Sequence, residues 1–313
     1  MSRTKIVVTG GAGFIGSHIV EYWITQGAEV HIIDNLRSGY LSNVEIFPEA
    51  IFHNGSITNR DLVFQVLKNA EYVHHLAALV SVPESVEKPH ECIDINVNGL
   101  LNVLDAAKEF GLKKIVFSSS AAVYGDNPES PKTISMKPQP KSPYGITKLD
   151  GEYYLQMYHE MYDIGTVSLR YFNVFGPRQD PKSQYAAAIP IFISRAIKNE
   201  PLIIYGDGEQ TRDFIFVKDV VKANMLAVTN PNISGVFNLA LGKPTSVNQI
   251  AKEIIRLTGS KSEIIYEKER AGDIKHSLAS IKDTMELLKF KPVFTLEEGL
   301  KETIDFFISK KAK

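Results

Sequence analysis

The sequence predicts an α/β fold, a doubly wound parallel sheet with a second, smaller mixed α/β region. Three observations carry this. Short β-branched runs alternate with helical patterns through the first half, a glycine-rich turn follows the first run, and after Tyr171 the rhythm changes to longer loops containing Pro and Gly. Alternation of this kind implies a parallel sheet covered by helices on both faces.

In chain order, Lys5–Thr9 reads as a buried strand and Phe14–Gln26 as a helix, with Gly27 where a C-cap belongs. Val30–Asp34 and Ile51–His53 read as strands, and Asp61–Lys68 as a short helix. Tyr72–Ala78, Lys114–Ser119 and Thr166–Tyr171 complete six strands, with long helices expected near Glu91–Phe110 and Tyr144–Met161. Later helical patterns fall near Ala186–Asn199, Lys218–Val228, Val247–Thr258 and Leu296–Phe307. The expected division is a first domain over 1–171, to which a segment of about 212–243 returns, and a second region over 172–313. Ligands of open α/β sheets bind at the C-terminal strand ends, so the second region should roof that crevice.

The chain has 313 residues, 44% of them hydrophobic, enough for a substantial core. A formal charge of −1 offers no electrostatic capture of nucleic acid or of an anionic membrane. The one cysteine, Cys92, excludes an intrachain disulfide and leaves no zinc signature, so no metal is expected and a reducing cytoplasm is the natural location. The first apolar run is broken by Gly10 too early for a signal-peptide core, and no apolar stretch approaches the ~20 residues that span a bilayer. Internal repeats and low-complexity segments are absent.

Gly10-Gly11-Ala12-Gly13-Phe14-Ile15-Gly16 lies between the first strand and the first helix. Gly10 permits the tight turn, Gly13 lets the backbone approach a pyrophosphate, and Gly16 lets helix pack on strand, while the helix N-terminus offers N–H donors to phosphates. Asp34, closing the second strand, suits the two ribose hydroxyls and repels a 2′-phosphate. This favours a dinucleotide of the NAD type over NADP, with Arg37 nearby as the opposing charge.

Tyr144 and Lys148 stand four apart, on one face of a helix. A phenol with an ordinary pKa near ~10 is a poor base at neutral pH. A neighbouring ammonium favours the phenolate, so the pair suits removal of an alcohol proton while hydride leaves the same carbon. Ser118-Ser119-Ser120-Ala121-Ala122-Val123-Tyr124-Gly125 ends the fifth strand at the mouth of the crevice, where Ser120 can hydrogen-bond the reacting oxygen.

The glycine loop, the Ser-Ser-Ser-x-x-x-Tyr-Gly segment and the Tyr-x-x-x-Lys pair together resemble the extended short-chain dehydrogenase/reductase superfamily, and more narrowly its UDP-hexose 4-epimerases. Further matching segments are Leu76-Ala77-Ala78-Leu79-Val80-Ser81-Val82-Pro83, Asn96-Val97-Asn98-Gly99, Arg170–Arg178, Gly206–Phe214 and Arg270-Ala271-Gly272-Asp273, so the likeness runs end to end. It implies a Rossmann domain holding NAD tightly and a UDP-sugar substrate. Tyr144 would be the base, Lys148 its activator and ribose anchor, and Ser120 the partner of the sugar oxygen. Around the cofactor it implies Gly10, Gly13, Phe14, Ile15, Gly16, Asp34, Asn35, Ser38, Gly39, Ser56, Ile57, Leu76, Ala77, Ala78, Val80, Asn96, Ser118 and Tyr171. Toward the substrate it implies Asn173 near the diphosphate, Arg212 and Arg270 clamping it, Asp273 on the uridine ribose, Tyr205 and Phe214 flanking uracil, and Ala187 and Ala188 nearby. One departure is Ser56 after Gly55, where the family often carries an acidic residue toward adenine.

The resemblance also separates reactions. Dehydratases and decarboxylases of the superfamily place acidic side chains after the catalytic Ser or Thr, whereas Ala121 and Ala122 stand here and move no protons. Epimerisation through a transient 4-keto sugar is therefore expected, with UDP-glucuronate 4-epimerisation and a non-catalytic NAD sensor as rivals. Ser277 falls at the position that gates the sugar pocket in related 4-epimerases. A small residue there, together with Arg178–Pro190, resembles the UDP-N-acetylglucosamine branch and leaves UDP-glucose acceptable too. Family likeness further implies a homodimer through the two long helices, both rich in apolar residues around their circumference.

Overall fold

The computed structural model describes residues 3–181, 187–269 and 275–311. Strands β1 (Lys5–Thr9), β2 (Glu29–Asp34), β3 (Ile51–Asn54), β4 (Tyr72–His75), β5 (Lys114–Ser120), β6 (Gly165–Tyr171) and β10 (Gly235–Leu239) form one parallel sheet, ordered β10-β6-β5-β4-β1-β2-β3. The strand order reverses between β1 and β4, which opens a crevice at their C-terminal ends.

Helix α1 (Phe14–Thr25) and helix α8 (Val217–Thr229) cover one face, packing Ile19, Trp23, Val220 and Met225 against Ile6, Ile32 and Leu169. Helices α2 (Arg60–Leu67), α5 (Gly99–Phe110) and α6 (Pro143–Tyr162) cover the other around Val7, Leu104, Ile115 and Leu155. The β-branched residues of β1, β2, β4, β5 and β6 are buried on both faces, as a doubly covered sheet requires, while Ile51 on the edge strand β3 is exposed.

The expected helix over Glu91–Phe110 is α4 (Pro89–Ile93) and α5 joined by a π-helical turn, Asp94–Asn98. Asn96 explains the widening. Its side chain accepts from the Leu79 N–H (2.7 Å) and donates to the Leu79 carbonyl and the Thr147 hydroxyl, so it turns inward to fasten two other segments. The strand expected over Tyr72–Ala78 stops at His75, where the Leu76–Val80 backbone turns along the crevice. Helix α3 (Val82–Glu87), capped by Ser81 with Pro83 in its first turn, was not expected from the sequence.

The remainder is built from smaller pieces. Strands β7 (Asn173–Phe175), β9 (Thr211–Phe216) and β11 (Pro244–Ser246) form a three-stranded sheet, and β8 (Leu202–Tyr205) pairs with β12 (Ile264–Glu267). Helices α7 (Ala188–Ala196), α9 (Val247–Thr258) and α11 (Leu296–Lys311) pack on them around Phe175, Phe192, Phe216, Ile254 and Leu300, and α10 (Lys282–Glu286) lies against β10. Of the segment expected to return to the first domain, α8 packs on α1 and β10 joins the large sheet, whereas β9 pairs with β7 and β11.

Candidate active site

β1 runs into Gly10, whose φ of +72° and whose Cβ position, 2.7 Å from the Ala77 backbone nitrogen, both demand glycine. Gly16 answers to packing instead: a Cβ there would lie 2.1 Å from the Gly10 carbonyl oxygen. No side chain caps α1, so the N–H groups of its first turn are left to receive an anion, with the positive end of the helix dipole behind them. This turn borders a cavity of about 500 Å³ that reaches from Ser56 and Ile57 beyond β3 to Ser118, Ser120 and Tyr144 beyond β5. Gln179 lines it too, and its buried Oε1 has no hydrogen-bond partner among the described residues. An extended ligand with phosphate in the middle and a hydrogen-bonding end fits this wall.

Asp34 closes β2, and its carboxylate accepts from the backbone N–H of Ala12 (3.0 Å) and of Leu36 (2.8 Å), tethering the glycine turn while bordering the cavity. Burial pushes its carboxyl above the ordinary value, opposed by those two bonds. Arg37 also borders the cavity, but its guanidinium is engaged by Glu91 (2.5 Å) and Glu84 (2.8 Å). Its charge is thus offset by carboxylates, and a 2′-phosphate would face Asp34 without a free counter-cation from this residue.

Helix α6 begins at Ser142, whose hydroxyl accepts from the Gly145 N–H, with Pro143 at the first helical position. This start sets Tyr144 in the first turn and Lys148 one turn on. The Tyr144 phenol is hydrogen-bonded to Ser120 at the end of β5. Lys148 Nζ donates to the Ser118 carbonyl (2.7 Å) and lies 5.7 Å from the centre of the Tyr144 ring. Burial pulls its ammonium down to about 8, with Cys92 and Glu152 acting in the other direction, and burial pushes the Tyr144 phenol up, opposed by the Ser120 bond.

Beneath this group lies a buried polar chain. Glu152, one turn beyond Lys148, receives the Ser119 hydroxyl (2.5 Å) and a bidentate fork from Arg170 (2.8 and 2.7 Å). The Arg170 guanidinium covers the Tyr124 ring at 4.8 Å, and Tyr124 donates to Asn238 (2.6 Å). The strand end that carries Ser120 is therefore held from below by charge.

Two further cavities continue the crevice. One of about 370 Å³ is lined by Asn173, Ala187, Ala188, Tyr205, Arg212 and Phe214. The other, about 240 Å³, lies between Ser120, Ala121 and Ala122 on one side and Asn173, Arg212 and Ser277 on the other. Shared residues join all three: Ala187 borders the first and second, Ser120 the first and third, and Arg212 the second and third.

Most residues expected at the cofactor line the first cavity, Ser56 included. Gly39 and Asn96 serve it from behind: a Cβ at Gly39 would press on the Ala12 backbone at 2.8 Å, and Asn96 fastens Leu79. Arg270, Asp273 and the expected Arg178–Pro190 signature from residue 182 to 186 lie outside the described residues. Sequence reasoning missed Gln179, Arg195, Gln210, Lys132 and His276 as wall residues. Gln179, Gln210 and His276 lie in or beside segments that resemble the family but were given no role there, whereas the sequence around Lys132 and Arg195 shows no motif.

A dinucleotide cavity on a parallel sheet, with a Tyr–Lys pair and a serine at its inner end and a second chamber beyond, defines a Rossmann-fold enzyme that carries out redox chemistry on a bound alcohol. The chain belongs to the NAD dependent epimerase/dehydratase family, whose model matches residues 6–240. It is 43% identical over 303 residues to a putative UDP-glucose 4-epimerase of Methanocaldococcus jannaschii, covering 96% of this chain and 97% of that one. Among solved structures, a UDP-N-acetylglucosamine 4-epimerase from Methanobrevibacter ruminantium, in complex with UDP-N-acetylmuramic acid, is similar with a TM-score of 0.94 and 45% identity over 99% of this chain and 100% of that one. A UDP-glucose 4-epimerase of Thermotoga maritima with UDP-glucose is similar with a TM-score of 0.94 and 39% identity, covering 98% and 100%.

Proposed function

We propose that this protein is an NAD-dependent UDP-sugar 4-epimerase that interconverts UDP-N-acetylglucosamine and UDP-N-acetylgalactosamine and also accepts UDP-glucose and UDP-galactose. The observation that carries the choice of sugar is Ser277, a small residue on the wall of the cavity that Ser120 and Asn173 also line. A 2-acetamido sugar must turn over inside that space, and a bulky side chain at 277 would remove the room.

In this reading Tyr144 Oη takes the proton of the sugar 4-hydroxyl, Ser120 hydrogen-bonds the same oxygen, and the Lys148 ammonium favours the phenolate. When bound, NAD supplies the acceptor and then the donor of hydride. Arg212 holds the diphosphate, Tyr205 and Phe214 border the uracil, and Arg270 and Asp273 complete the nucleotide contacts. Residues 1–171 with α8 and β10 serve the cofactor, and the remainder serves the nucleotide sugar.

The test presents purified enzyme with UDP-N-acetylglucosamine, UDP-glucose and UDP-glucuronate side by side. Conversion of the N-acetylated sugar is expected, and Ser277→Tyr should suppress it ~10-fold more than conversion of UDP-glucose. A wild type that ignores N-acetylated sugars, or a variant that affects both reactions equally, contradicts the gate. His276 borders the same cavity and gives UDP-glucuronate a claim as second reading, which the third substrate addresses; Lys132 borders it too, but its ammonium is engaged by the Asn127 and Glu129 carbonyls.

We also place the enzyme in the cytoplasm as a homodimer. Ile93 on α4 and Tyr153, Met157 and Met161 on α6 are exposed apolar side chains on adjoining helices. A monomeric mass by light scattering at micromolar concentration would contradict the dimer.

A further inference from the structure

We propose that Asp213 is a positioning residue that closes the sugar cavity: its carboxylate gathers the backbone of two later segments and so fixes Ser277 relative to Ser120 and Asn173. The inference rests on the epimerase reading for the identity of the sugar, while the geometry stands without it.

Strand alternation sets the starting point. Arg212 and Phe214 both line the nucleotide cavity, so Asp213 between them points to the other face of β9. There it is fully buried, and its partners are backbone N–H groups: Leu241 at 2.9 Å, Gly242 at 3.1 Å and Ala279 at 3.1 Å. Burial pushes its carboxyl up to about 6 even against these bonds. An asparagine would fill the same space with less desolvation, but it accepts at only one oxygen. Amides arriving from two segments at both oxygens call for the carboxylate.

What it holds is the strip 275–280. Thr211 donates its N–H to the Lys275 carbonyl (2.9 Å) and accepts from the Ser277 N–H (3.1 Å), which aligns the strip with the start of β9. Two residues on, the Asp213 carbonyl is engaged by the Asn173 side chain (3.3 Å), and the Ala279 N–H bonds the Asp213 carboxylate instead. The side chain thus extends a ladder that the backbone does not continue. On its other edge the strip bonds Lys132 through Leu278 and Ser280, both at 2.8 Å. Leu241 and Gly242 follow β10 of the large sheet, so one carboxylate ties that sheet to the strip carrying Ser277. One residue thereby serves both walls of the cavity: its carbonyl orients Asn173 and its carboxylate sets the depth of Ser277.

The test uses the NAD-loaded enzyme with Asp213→Asn. Affinity for UDP-N-acetylglucosamine by calorimetry, and KM, should weaken by ~10-fold, the scale of lost hydrogen bonds to a charged group, with kcat and UDP affinity each changed less than ~3-fold. The ~10-fold selectivity effect of Ser277→Tyr should shrink below ~3-fold in the Asp213→Asn background, because a gate that is no longer fixed cannot discriminate by size. Additive effects of the two substitutions, or a loss carried in kcat with KM unchanged, would overturn the proposal. Calorimetry needs no turnover, so a wild type that binds the sugar without converting it counts against the reaction alone. Should the variant fail to fold, amide exchange on the wild type reads the same staple. Slow exchange at Ser277 and Ala279 is expected, and exchange at the rate of an open loop would overturn it.

Discussion

The first cavity takes its walls mainly from successive strand ends of one parallel sheet, whereas the two cavities beyond it collect Asn173, Ala187, Tyr205, Arg212 and Ser277 from separate pieces of chain. On the first side backbone ladders set positions, and side chains such as Glu152 reinforce them from beneath. On the second, polar side chains do the joining: Asp213 binds the strip at Ala279, and Asn238 donates to the Lys132 and Ser280 carbonyls. A parallel sheet can present a catalytic group with little cost in specificity of sequence elsewhere, while a chamber of short segments depends on a few buried acceptors.

The largest expected effect comes from breaking the support under the strand end that carries Ser120. Glu152→Gln leaves Arg170 buried beside a neutral amide, and its Nη1 already lacks a partner among the described residues. Removing one partner of a buried pair should cost ~3 kcal/mol or more of unfolding free energy, read from denaturant melts. A loss below ~1 kcal/mol would show that the pair is not what anchors this strand end.

Lys148→Met tests the buried charge beside Tyr144. The folded-state value is about 8 against an ordinary 10.5, so at pH 7 the wild type buries a charge the unfolded chain carries in water. That cost is full below about 8, fades as pH rises, and is gone once the unfolded lysine also loses its proton. With nucleotide removed, the variant should be more stable at pH 7 by up to ~3 kcal/mol, reduced by the lost Ser118 bond, and the advantage should decline as pH rises above 8. An advantage that grows with pH would contradict the sign.

Tyr144→Phe keeps the ring and removes the phenol bonded to Ser120. A fall in kcat of at least ~10²-fold is expected, with nucleotide binding retained, in a single-substrate assay. Near wild-type turnover would take Tyr144 out of the mechanism.

The same contrast explains what was legible in the sequence. Gly10, Gly16 and Asp34, and Tyr144 with Lys148, belong to short patterns whose spacing follows from a turn, a strand end or a helix, so six of the seven large-sheet strands and the neighbourhood of Tyr144, Lys148 and Ser120 could be read directly. The return of a segment of about 212–243 to the first domain was expected, but β10 within it was not read as a strand, because it joins the sheet from far along the chain, beside β6. The π-helical turn was hidden because Asn96 acts through tertiary bonds that periodicity does not register. Lys132 and His276 reach the sugar cavity only through folding of loops, and Asp213 reads as one acid in a strand until its amide partners are known.

Epimerisation by the proposed route oxidises a bound alcohol and reduces it again at one carbon within one active site. The direct measurement supplies UDP-N-acetylglucosamine deuterated at C4 to the purified, NAD-loaded enzyme and follows the product by NMR. The expected product is the C4 epimer with deuterium retained at C4 and no stoichiometric accumulation of free NADH. An epimer that has exchanged its C4 label for solvent hydrogen, or no epimer from this or any supplied UDP-hexose, would contradict it.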